Sequence, residues 1–467
     1  MKKYQYEIIA QNLESKIIDK MWIGGEKLPS IQKLTEQYKV SKNTVIHALR
    51  ELEASRLIEA RPKTGYFVTN LFEQKNPISP NSETLAPMAV NLSELFNDIM
   101  QRGAAFDILP HGSNTSPSNH INILNRYLNK AQRSHTQQKA MHYDSPLGSV
   151  DLRFQIKEHY RSVGLNITAS DYCITAGCQN SLFLALMATC QPGDNVAIES
   201  PAFYGVLQLL EKLQLNVIEI ASSTIDGFNP TELEKALQKW KIRACVVTPS
   251  FATPSGASMP AGHKKQLVEI ANRFDMVLIE DDIYGDLHFT ERAPPLKAFD
   301  SQDRVILCSS FSKSLSRDIR LGWIAGGRWH KKICDLKLVT QLAGNQSIQQ
   351  GMHAFMAEGY YRRHLHFYRQ VLKRQRDQLI VCLQTHWPDS IRFSIPAGGL
   401  AIWVQVDPHI DTAQLYQLAL GLGIVLTPGA LFSVSGYYKN FLRISFAHPT
   451  VGERERAIRK LPSLLWT

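Results

Sequence analysis

The sequence predicts a small helical module that ends in a hairpin, followed by a large α/β domain with a mostly parallel sheet. Residues 1 to about 69 are charged and show helical spacing, whereas from about residue 105 short apolar runs alternate with helical stretches. Between them lies NPISPNSETLAP, a composition typical of a linker. We therefore expect a module over 1–70, a linker over 71–104, a large domain over 105–334 and a small α+β C-terminal subdomain over 335–467.

The length and the charge limit the class of protein. A chain of 467 residues favours two or three domains. Lys and Arg number 52 and Asp and Glu 42, so the formal net charge is +10. That excess fits a polyanionic partner, and it fits ordinary solubility equally well.

Cysteine usage and the N-terminal residues indicate a reducing compartment. The 7 cysteines include no CxxC pair, which argues against a disulfide framework or a zinc ribbon, and we expect no metal site. The first residues, MKKYQYEIIAQNLESK, lack the apolar core of a signal peptide. No apolar run approaches the roughly 18 residues that span a bilayer, so we expect a cytoplasmic protein.

The N-terminal module has three helical segments: IIAQNLESKII, IQKLTEQY after the turn GGEKLPS, and the segment KVSKNTVIHALRELEAS. In the third, Ser41 is placed to cap a helix that begins at Lys42. A buried stripe is expected at Val40, Val45, Ala48, Leu49 and Leu52. The following EARPKTGYFV predicts two short strands around Gly65.

Polar residues at the start of the third helix are those that a DNA-recognition helix would use, because its first turns reach base edges and phosphates. Arg61 and Lys63 in the hairpin are placed to reach the DNA backbone or the minor groove. By spacing alone, any three-helix bundle fits the same pattern. The candidate DNA-binding residues are Ser41, Lys42, Asn43, Thr44, His47, Arg61 and Lys63.

A resemblance to a known family favours the DNA-binding interpretation of this module over an unspecified three-helix bundle. KLPSIQKL, VSKNTVIHAL and RLIEARPKTGYFV resemble the winged helix-turn-helix domain of the GntR family of bacterial regulators, over nearly all of residues 5–69. The resemblance implies a double-stranded DNA operator as partner. The sequence departs from the family at Gln32, where Arg is common.

The large domain is predicted from β-rich apolar runs separated by helical stretches. Such runs indicate parallel strands that are buried on both faces of a sheet. They are YCIT, NVAIE, NVIEI, ACVVT, MVLIE and RVILCSS.

The strongest chemical signal is SSFSKSLSRDIRLGW, which follows the last of these strands. A solitary loop lysine is usually solvated, but Lys313 is flanked by Ser310 and Ser312, and Arg320 comes seven residues later. An amine can form a Schiff base, while hydroxyls and a guanidinium hold a phosphate. A cofactor that is both an aldehyde and a phosphate ester needs this set, which indicates pyridoxal 5'-phosphate (PLP).

Other segments fall upstream in a compatible order. In TAGCQNSL, backbone N–H groups of Cys178 and Gln179 at a helix start can hold a phosphate. In ESPAFYG, Phe203 is placed to stack on a pyridine ring. In IEDDIYGDL, Asp281 can pair with a pyridinium nitrogen and Tyr284 with the ring 3-oxygen. Taken singly, these are also ordinary packing, a core phenylalanine and solvated acids.

The combined string YDSPLG, GCQNSL, SPAFY, TPSFATPSG, EDDIY, SFSK-x6-R and FLRISFA resembles fold-type I PLP enzymes of the aminotransferase class I/II family, from about residue 105 to 460. The resemblance implies that Lys313 carries the internal aldimine, Asp281 pairs with N1 and Tyr284 with O3′. It assigns the phosphate to Ser310, Ser312, Arg320, Cys178 and Gln179, with Tyr143 donating to the partner subunit's phosphate. Arg443 would bind the α-carboxylate of a substrate or effector. Thr253 stands where the family usually has the Asn that bonds the ring 3-oxygen.

The whole chain resembles the MocR subgroup of GntR-family regulators, in which such a winged helix is fused to such a PLP domain. The resemblance implies a domain-swapped, head-to-tail homodimer that senses PLP, or an amino acid or other amine reacting with it, and so respaces its two DNA-binding modules. Closure of the small subdomain on ligand binding is one route for that signal. The alternative is a working aminotransferase that carries an accessory winged helix.

Overall fold

The computed structural model describes residues 5–18, 21–22, 24–54, 57–62, 64–69, 76–78, 84–92, 94–102, 108–109, 119–134 and 143–465. The chain forms two compact units. The first comprises Met1–Lys75 with Asp377–Asp389, and the second comprises Asn76–Arg376 with Ser390–Thr467. Within the described residues, no helix is both long and apolar enough to span a bilayer.

The N-terminal part of the first unit has three helices and a two-stranded hairpin. The elements are α1 (Gln5–Ile18), α2 (Ile31–Tyr38), α3 (Lys42–Ala54), β1 (Ile58–Arg61) and β2 (Gly65–Val68). Ser41 Oγ accepts the Thr44 amide at 3.2 Å, which is the expected cap of α3. The strands pair antiparallel from Ile58 opposite Val68 to Arg61 opposite Gly65, where a positive φ of 115° suits glycine. This is the arrangement of a winged helix.

The helices pack on a small apolar core to which α3 contributes a stripe. Val45, Ala48 and Leu49 are fully buried, and Leu52 is nearly so. Val40 packs against the same cluster while partly exposed. The stripe that helical spacing predicts is therefore present.

Shortening Leu49 to alanine is expected to destabilise the winged helix by about 2–5 kcal/mol, because a fully buried leucine leaves a cavity when truncated. Hydrogen exchange of the α3 amides measures this loss directly. Arg50→Ala is the matched control, since Arg50 is exposed on the same helix and should change stability by no more than about 0.5 kcal/mol. Equal exchange in both variants would contradict the packing described.

The second unit is built on a large mixed sheet whose centre is parallel. Its strands are β3 (Met88–Ala89), β4 (Tyr172–Thr175), β5 (Asn195–Ser200), β6 (Asn216–Ser223), β7 (Gly227–Phe228), β8 (Ala244–Val247), β9 (Val277–Asp281), β10 (Val305–Ser310) and β11 (Gly322–Ala325). They run in the order β3-β6-β5-β8-β9-β10-β11-β4, with β7 beside β6. Strands β6, β5, β8, β9 and β10 are parallel, while β11 is antiparallel to both of its neighbours.

Apolar clusters cover both faces of this sheet, which explains why its strands are nearly continuous apolar runs. Met88–Ala89 adds an edge strand from within the stretch expected to be a linker. The helices of this unit are α4 (Glu94–Gln101), α5 (Asn119–Ser134), α6 (Val150–Arg161), α7 (Cys178–Thr189), α8 (Tyr204–Lys212), α9 (Pro230–Lys239), α10 (Ala261–Arg273), α11 (His330–Gln341), α12 (Gln346–Ala357), α13 (Tyr360–His386, its last residues belonging to the first unit), α14 (Leu415–Gly421) and α15 (Gly452–Leu465).

The C-terminal part of the second unit adds a smaller antiparallel sheet. Its strands are β12 (Arg392–Phe393), β13 (Ala401–Gln405) and β14 (Phe441–Ser445), in the order β12-β13-β14. Trp403 and Phe441 stack at 5.1 Å between ring centroids and bury the face of this sheet. With α14 and α15, these strands give the α+β character expected for the C-terminal region.

Candidate functional site

Three strands of the large sheet end at one edge, and the predicted cofactor residues follow them. Strand β9 ends at Asp281, β10 ends at Ser310, and β4 is followed by the start of α7 at Cys178. Strand β4 runs in the same direction as β10, because each is antiparallel to β11 between them. Ligands of α/β sheets bind at this carboxyl edge.

Arg320, Ser312 and the first turn of α7 form one cradle. Arg320 donates from Nη2 to the carbonyl oxygen of Ala176 at 2.9 Å, and from Nη1 to Ser312 Oγ at 3.4 Å. Gly177 caps α7 with a φ of 107°, and a Cβ atom there would lie 2.8 Å from Arg320 Nη2. A hydroxyl, a guanidinium and a helix N-terminus are thus brought together as a donor set for a phosphate.

Asp281 is buried at the end of β9. Its Oδ1 atom accepts the Cys178 thiol at 3.2 Å and the Ile283 amide at 3.2 Å. Burial raises the pKa of Asp281 to about 6, against the lowering effect of these hydrogen bonds and of Lys313. A buried carboxylate of this kind is stabilised by a cationic partner, which a pyridinium nitrogen would supply.

Lys313 lies in the turn after β10 and lines a pocket with Thr253, Tyr284 and Arg443. Burial, together with the positive charges of Arg317 and Arg443, lowers the pKa of Lys313 to about 7, although Asp281 opposes the shift. About half of the Lys313 amines are therefore neutral at pH 7, against fewer than about one in a thousand for an ordinary lysine. A neutral amine is the form that attacks an aldehyde.

In the cofactor-free protein, acetylation of Lys313 by an amine-specific reagent is expected to rise roughly tenfold between pH 6 and pH 8 and then to level off, because the pKa is about 7. Peptide mass spectrometry measures this. Lys331 is the internal control: it is exposed and paired with Asp335 at 2.9 Å, which raises its pKa. Its labelling should still be rising above pH 9, a range set by an ordinary lysine pKa of about 10.4. If the labelling of both lysines rose over the same pH range, the lowered pKa of Lys313 would be contradicted.

The remaining predicted cofactor residues lie in different surroundings. Gln179 donates from Nε2 to the Gly205 carbonyl at 2.7 Å, and a Cβ atom at Gly205 would meet both Gln179 and the Phe203 ring. Gln179, in the first turn of α7, and Phe203, directly before α8, are therefore neighbours. Ser310 is buried and accepts the Ser312 amide at 3.3 Å. Tyr143 is 82% exposed.

Two residues of this site could not be predicted from the sequence as part of it. Arg317 lines the pocket four residues after Lys313. Tyr204 is buried, and its hydroxyl lies close enough to Arg443 and Arg317 for both to oppose the rise in its pKa that burial causes. Their place next to known motif residues, in SKSLSR and SPAFY, is the only hint that the sequence contains.

In the first unit, the candidate DNA-binding residues lie mainly at the start of α3. Ser41, Lys42 and Asn43 are exposed and Thr44 is half-buried. The His47 ring lies 4.4 Å from the Tyr6 ring, measured between ring centroids.

In the hairpin, Arg61 pairs with Glu59 at 2.6 Å and lies over the Phe67 ring at 4.3 Å. Lys63 falls outside the described residues. Gln32, where the family often has Arg, donates to Glu36 at 3.4 Å.

The residues at the sheet edge fit PLP. The cradle holds donors for a phosphate, and a Cβ atom at Gly177 would fill the space beside Arg320. Asp281 offers a buried carboxylate, and Lys313 offers an amine that is half neutral at pH 7.

Comparison with known proteins identifies the same two parts, a PLP-type domain and a winged helix. Protein-family models match at residues 108–461, "Aminotransferase class I and II", and at residues 5–68, "Bacterial regulatory proteins, gntR family". An uncharacterized HTH-type transcriptional regulator of Escherichia coli (strain K12), YjiR, is 34% identical over 464 residues, covering 98% of each chain. The HTH-type transcriptional regulator NorG of Staphylococcus aureus (strain USA300) is 25% identical over 441 residues, covering 93% of this chain and 98% of NorG.

Among solved structures, Pyrococcus horikoshii kynurenine aminotransferase superposes with a TM-score of 0.72 and 26% identity, covering 80% of this chain and 94% of that enzyme. The fold-type I prediction and the assignment of PLP as cofactor are confirmed. By its aminotransferase class I and II domain, its GntR-type winged helix and its full-length similarity to regulators of the same build, the chain belongs to the MocR subgroup of GntR-family transcriptional regulators.

Proposed function

We propose that this protein binds operator DNA through residues 1–70, and that its PLP-binding domain senses PLP or an amino compound. The observation that supports the proposal is the presence, in one chain, of a winged helix and of a pocket around Lys313 whose residues fit PLP. Residues 71–104 link the two in this proposal. A DNA-binding protein that also depends on a cellular cofactor is expected to act in the cytoplasm.

The start of α3 supports DNA recognition. Lys42, Asn43 and Thr44 lie in its first turn, where side chains reach base edges in the major groove and the helix N-terminus favours phosphates. Ser41 caps the helix, and its hydroxyl also lies 2.8 Å from that of Thr44, so it orients that side chain. Arg61 in the hairpin stays on the protein surface, paired with Glu59, and can exchange that partner for a phosphate.

The PLP site supplies the sensor. PLP contributes an aldehyde that condenses with amines and a ring that withdraws electrons. Asp281 would keep the ring nitrogen protonated, and Tyr284 and Thr253, which line the pocket, would face the 3-oxygen. Arg443 lines the same pocket, where its guanidinium would pair with the carboxylate of an amino acid. With an amino acid bound, Lys313 would be released from the cofactor and Arg443 would add a carboxylate to its contacts.

Such a ligand shifts a conformational equilibrium only by its different affinities for the two states. The different contacts of Lys313 and Arg443, with and without the amine, provide that difference. We propose a homodimer in which exposed Tyr143 reaches the cofactor phosphate of the other subunit. Ligand binding in each subunit would then alter the spacing of the two winged helices.

A genome-wide footprint of the protein with and without PLP tests the proposal. We expect protection of paired half-sites at a small number of promoters, with an altered spacing or occupancy when PLP and an amino acid are present. Identical footprints under all conditions would remove the sensor role and leave DNA binding alone.

The alternative is a working aminotransferase that carries a winged helix. It is favoured by the catalytic set itself, since Lys313, Asp281, Tyr284 and Arg443 all lie in or next to one pocket. Steady turnover of amino donors with 2-oxo acids, together with no sequence-specific DNA binding, would support this alternative. Residual turnover accompanied by specific DNA binding fits the regulator.

A further inference from the structure

A second cavity lies in the second unit, away from the PLP pocket. It has a volume of about 450 Å³, within the roughly 300–1,000 Å³ typical of small-molecule sites. Helix α6, the segment Asp286–Arg292 and the start of α13 form its walls, and it shares no lining residue with the pocket around Lys313. We call it the α13 pocket; its charged and imidazole-bearing lining residues are Glu158, His159, Asp286, His288, Arg292, Arg362 and Arg369.

The acidic residues of the α13 pocket are already paired with protein groups, although Arg292 is shared between Asp286 and Asp282. Asp286 accepts from His159 at 2.9 Å and from Tyr361 at 2.8 Å, and it forms an ion pair with Arg292. Burial alone would raise the pKa of Asp286, but Arg292 and His159 bring it well below its ordinary value. Glu158 is paired with Lys157 and Arg161. Neither carboxylate is therefore available to a cationic ligand.

Two arginines of the pocket form no ion pair among the described residues. Among the residues that the structure describes, no carboxylate lies within 4.0 Å of Arg362 or Arg369. Half-buried Arg369 donates from Nε to the Asp286 carbonyl at 2.6 Å, and burial lowers its pKa. Arg362 is exposed on the same face of α13, two turns before it. The lining therefore has three arginines against two carboxylates, and the two arginines without an ion pair are the groups open to an anionic ligand.

His288 is a third polar group of the lining. Burial first, and then the charges of Arg369 and Arg292, lower the pKa of His288 to about 4, so this imidazole is neutral at pH 7. Its Nδ1 atom is buried and has no hydrogen-bond partner among the described residues. His288 therefore adds an uncharged polar ring to the lining that contains the arginines.

We propose that the α13 pocket binds a small anion bearing a phosphate or paired carboxylates, with Arg362 and Arg369 as its main charge partners. Guanidinium groups bind both kinds of anion through forked hydrogen bonds. The site would give the protein a second small-molecule input that is separate from its cofactor.

Calorimetric titration of the PLP-loaded full-length protein with inorganic phosphate, and separately with succinate, tests the proposal. Loading with PLP fills the phosphate cradle and removes that competing site. We expect saturable binding of at least one anion, weakened about tenfold or more by Arg362→Gln and by Arg369→Gln, since each removes a charge-assisted contact. Comparing the two titrants distinguishes a phosphate ligand from a dicarboxylate.

Two control variants locate the binding. Arg363→Gln removes a charge next to Arg362 on α13, but Arg363 bonds the Glu358 carbonyl and does not line the pocket. Arg443→Ala removes the carboxylate partner expected in the PLP pocket. Arg363→Gln should bind both anions as wild type does. Arg443→Ala should bind phosphate as wild type does, and it should lose only the succinate binding that occurs in the PLP pocket. The proposal fails if neither anion binds saturably, if Arg362→Gln and Arg369→Gln leave binding unchanged, or if Arg443→Ala abolishes it.

Discussion

Alanine at position 313 is expected to abolish covalent retention of PLP. Lys313 supplies the amine of the pocket, and the surrounding burial and arginines keep about half of that amine neutral near pH 7. Without that nitrogen, PLP would keep only noncovalent contacts, and borohydride reduction should attach no cofactor at this site. The expected change is from one cofactor per chain to none at this site, measured by intact mass.

Lys331→Ala is the matched control, because Lys331 is an exposed lysine of the same unit whose partner is Asp335. This variant should retain the cofactor fully. Stoichiometric attachment in Lys313→Ala, or its loss in Lys331→Ala, would show that another lysine carries the cofactor.

Replacing Arg320 with alanine is expected to weaken PLP binding by about ten- to a hundredfold, since charged hydrogen bonds contribute about 1.5–3 kcal/mol each. The Arg320 guanidinium links Ser312 to the turn before α7, so its loss removes a donor and loosens the cradle. The PLP affinity of Arg320→Lys should fall between those of wild type and Arg320→Ala, because lysine keeps the charge but not the forked geometry. Equilibrium dialysis of PLP against the cofactor-free protein gives the affinities.

Arg328→Ala serves as its control. Arg328 is also exposed, and it bonds the Gln302 carbonyl and lies over the Trp329 ring at 5.6 Å. This variant should bind PLP as tightly as wild type does. An Arg320→Ala protein with unchanged affinity would mean that the phosphate is held elsewhere.

The elements that the sequence predicts correctly are those with a local physical cause. Parallel strands buried on both faces appear as apolar runs such as ACVVT and RVILCSS, and both are strands in the structure. Ser41 before α3 has the chemistry of a helix cap and acts as one. Motif residues that follow strands of the same sheet meet at one edge, as Asp281 and Ser310 do.

What the sequence does not predict depends on contacts between distant segments. The Cys178 thiol bonds Asp281 across 103 residues, and Arg320 reaches Ala176 across 144. Met88–Ala89 forms an edge strand with β6 that only tertiary structure specifies. The α13 pocket combines three separated segments, so the grouping of its arginines is visible only after folding.

The most direct test of the sensor proposal is the operator affinity of wild-type protein and of Lys313→Ala, each measured by fluorescence anisotropy with and without PLP and an amino acid. We predict that wild-type affinity or half-site spacing preference changes with these ligands, while Lys313→Ala binds DNA but does not respond. A wild-type response that persists in full in Lys313→Ala would contradict the proposal that this lysine couples the cofactor to DNA binding.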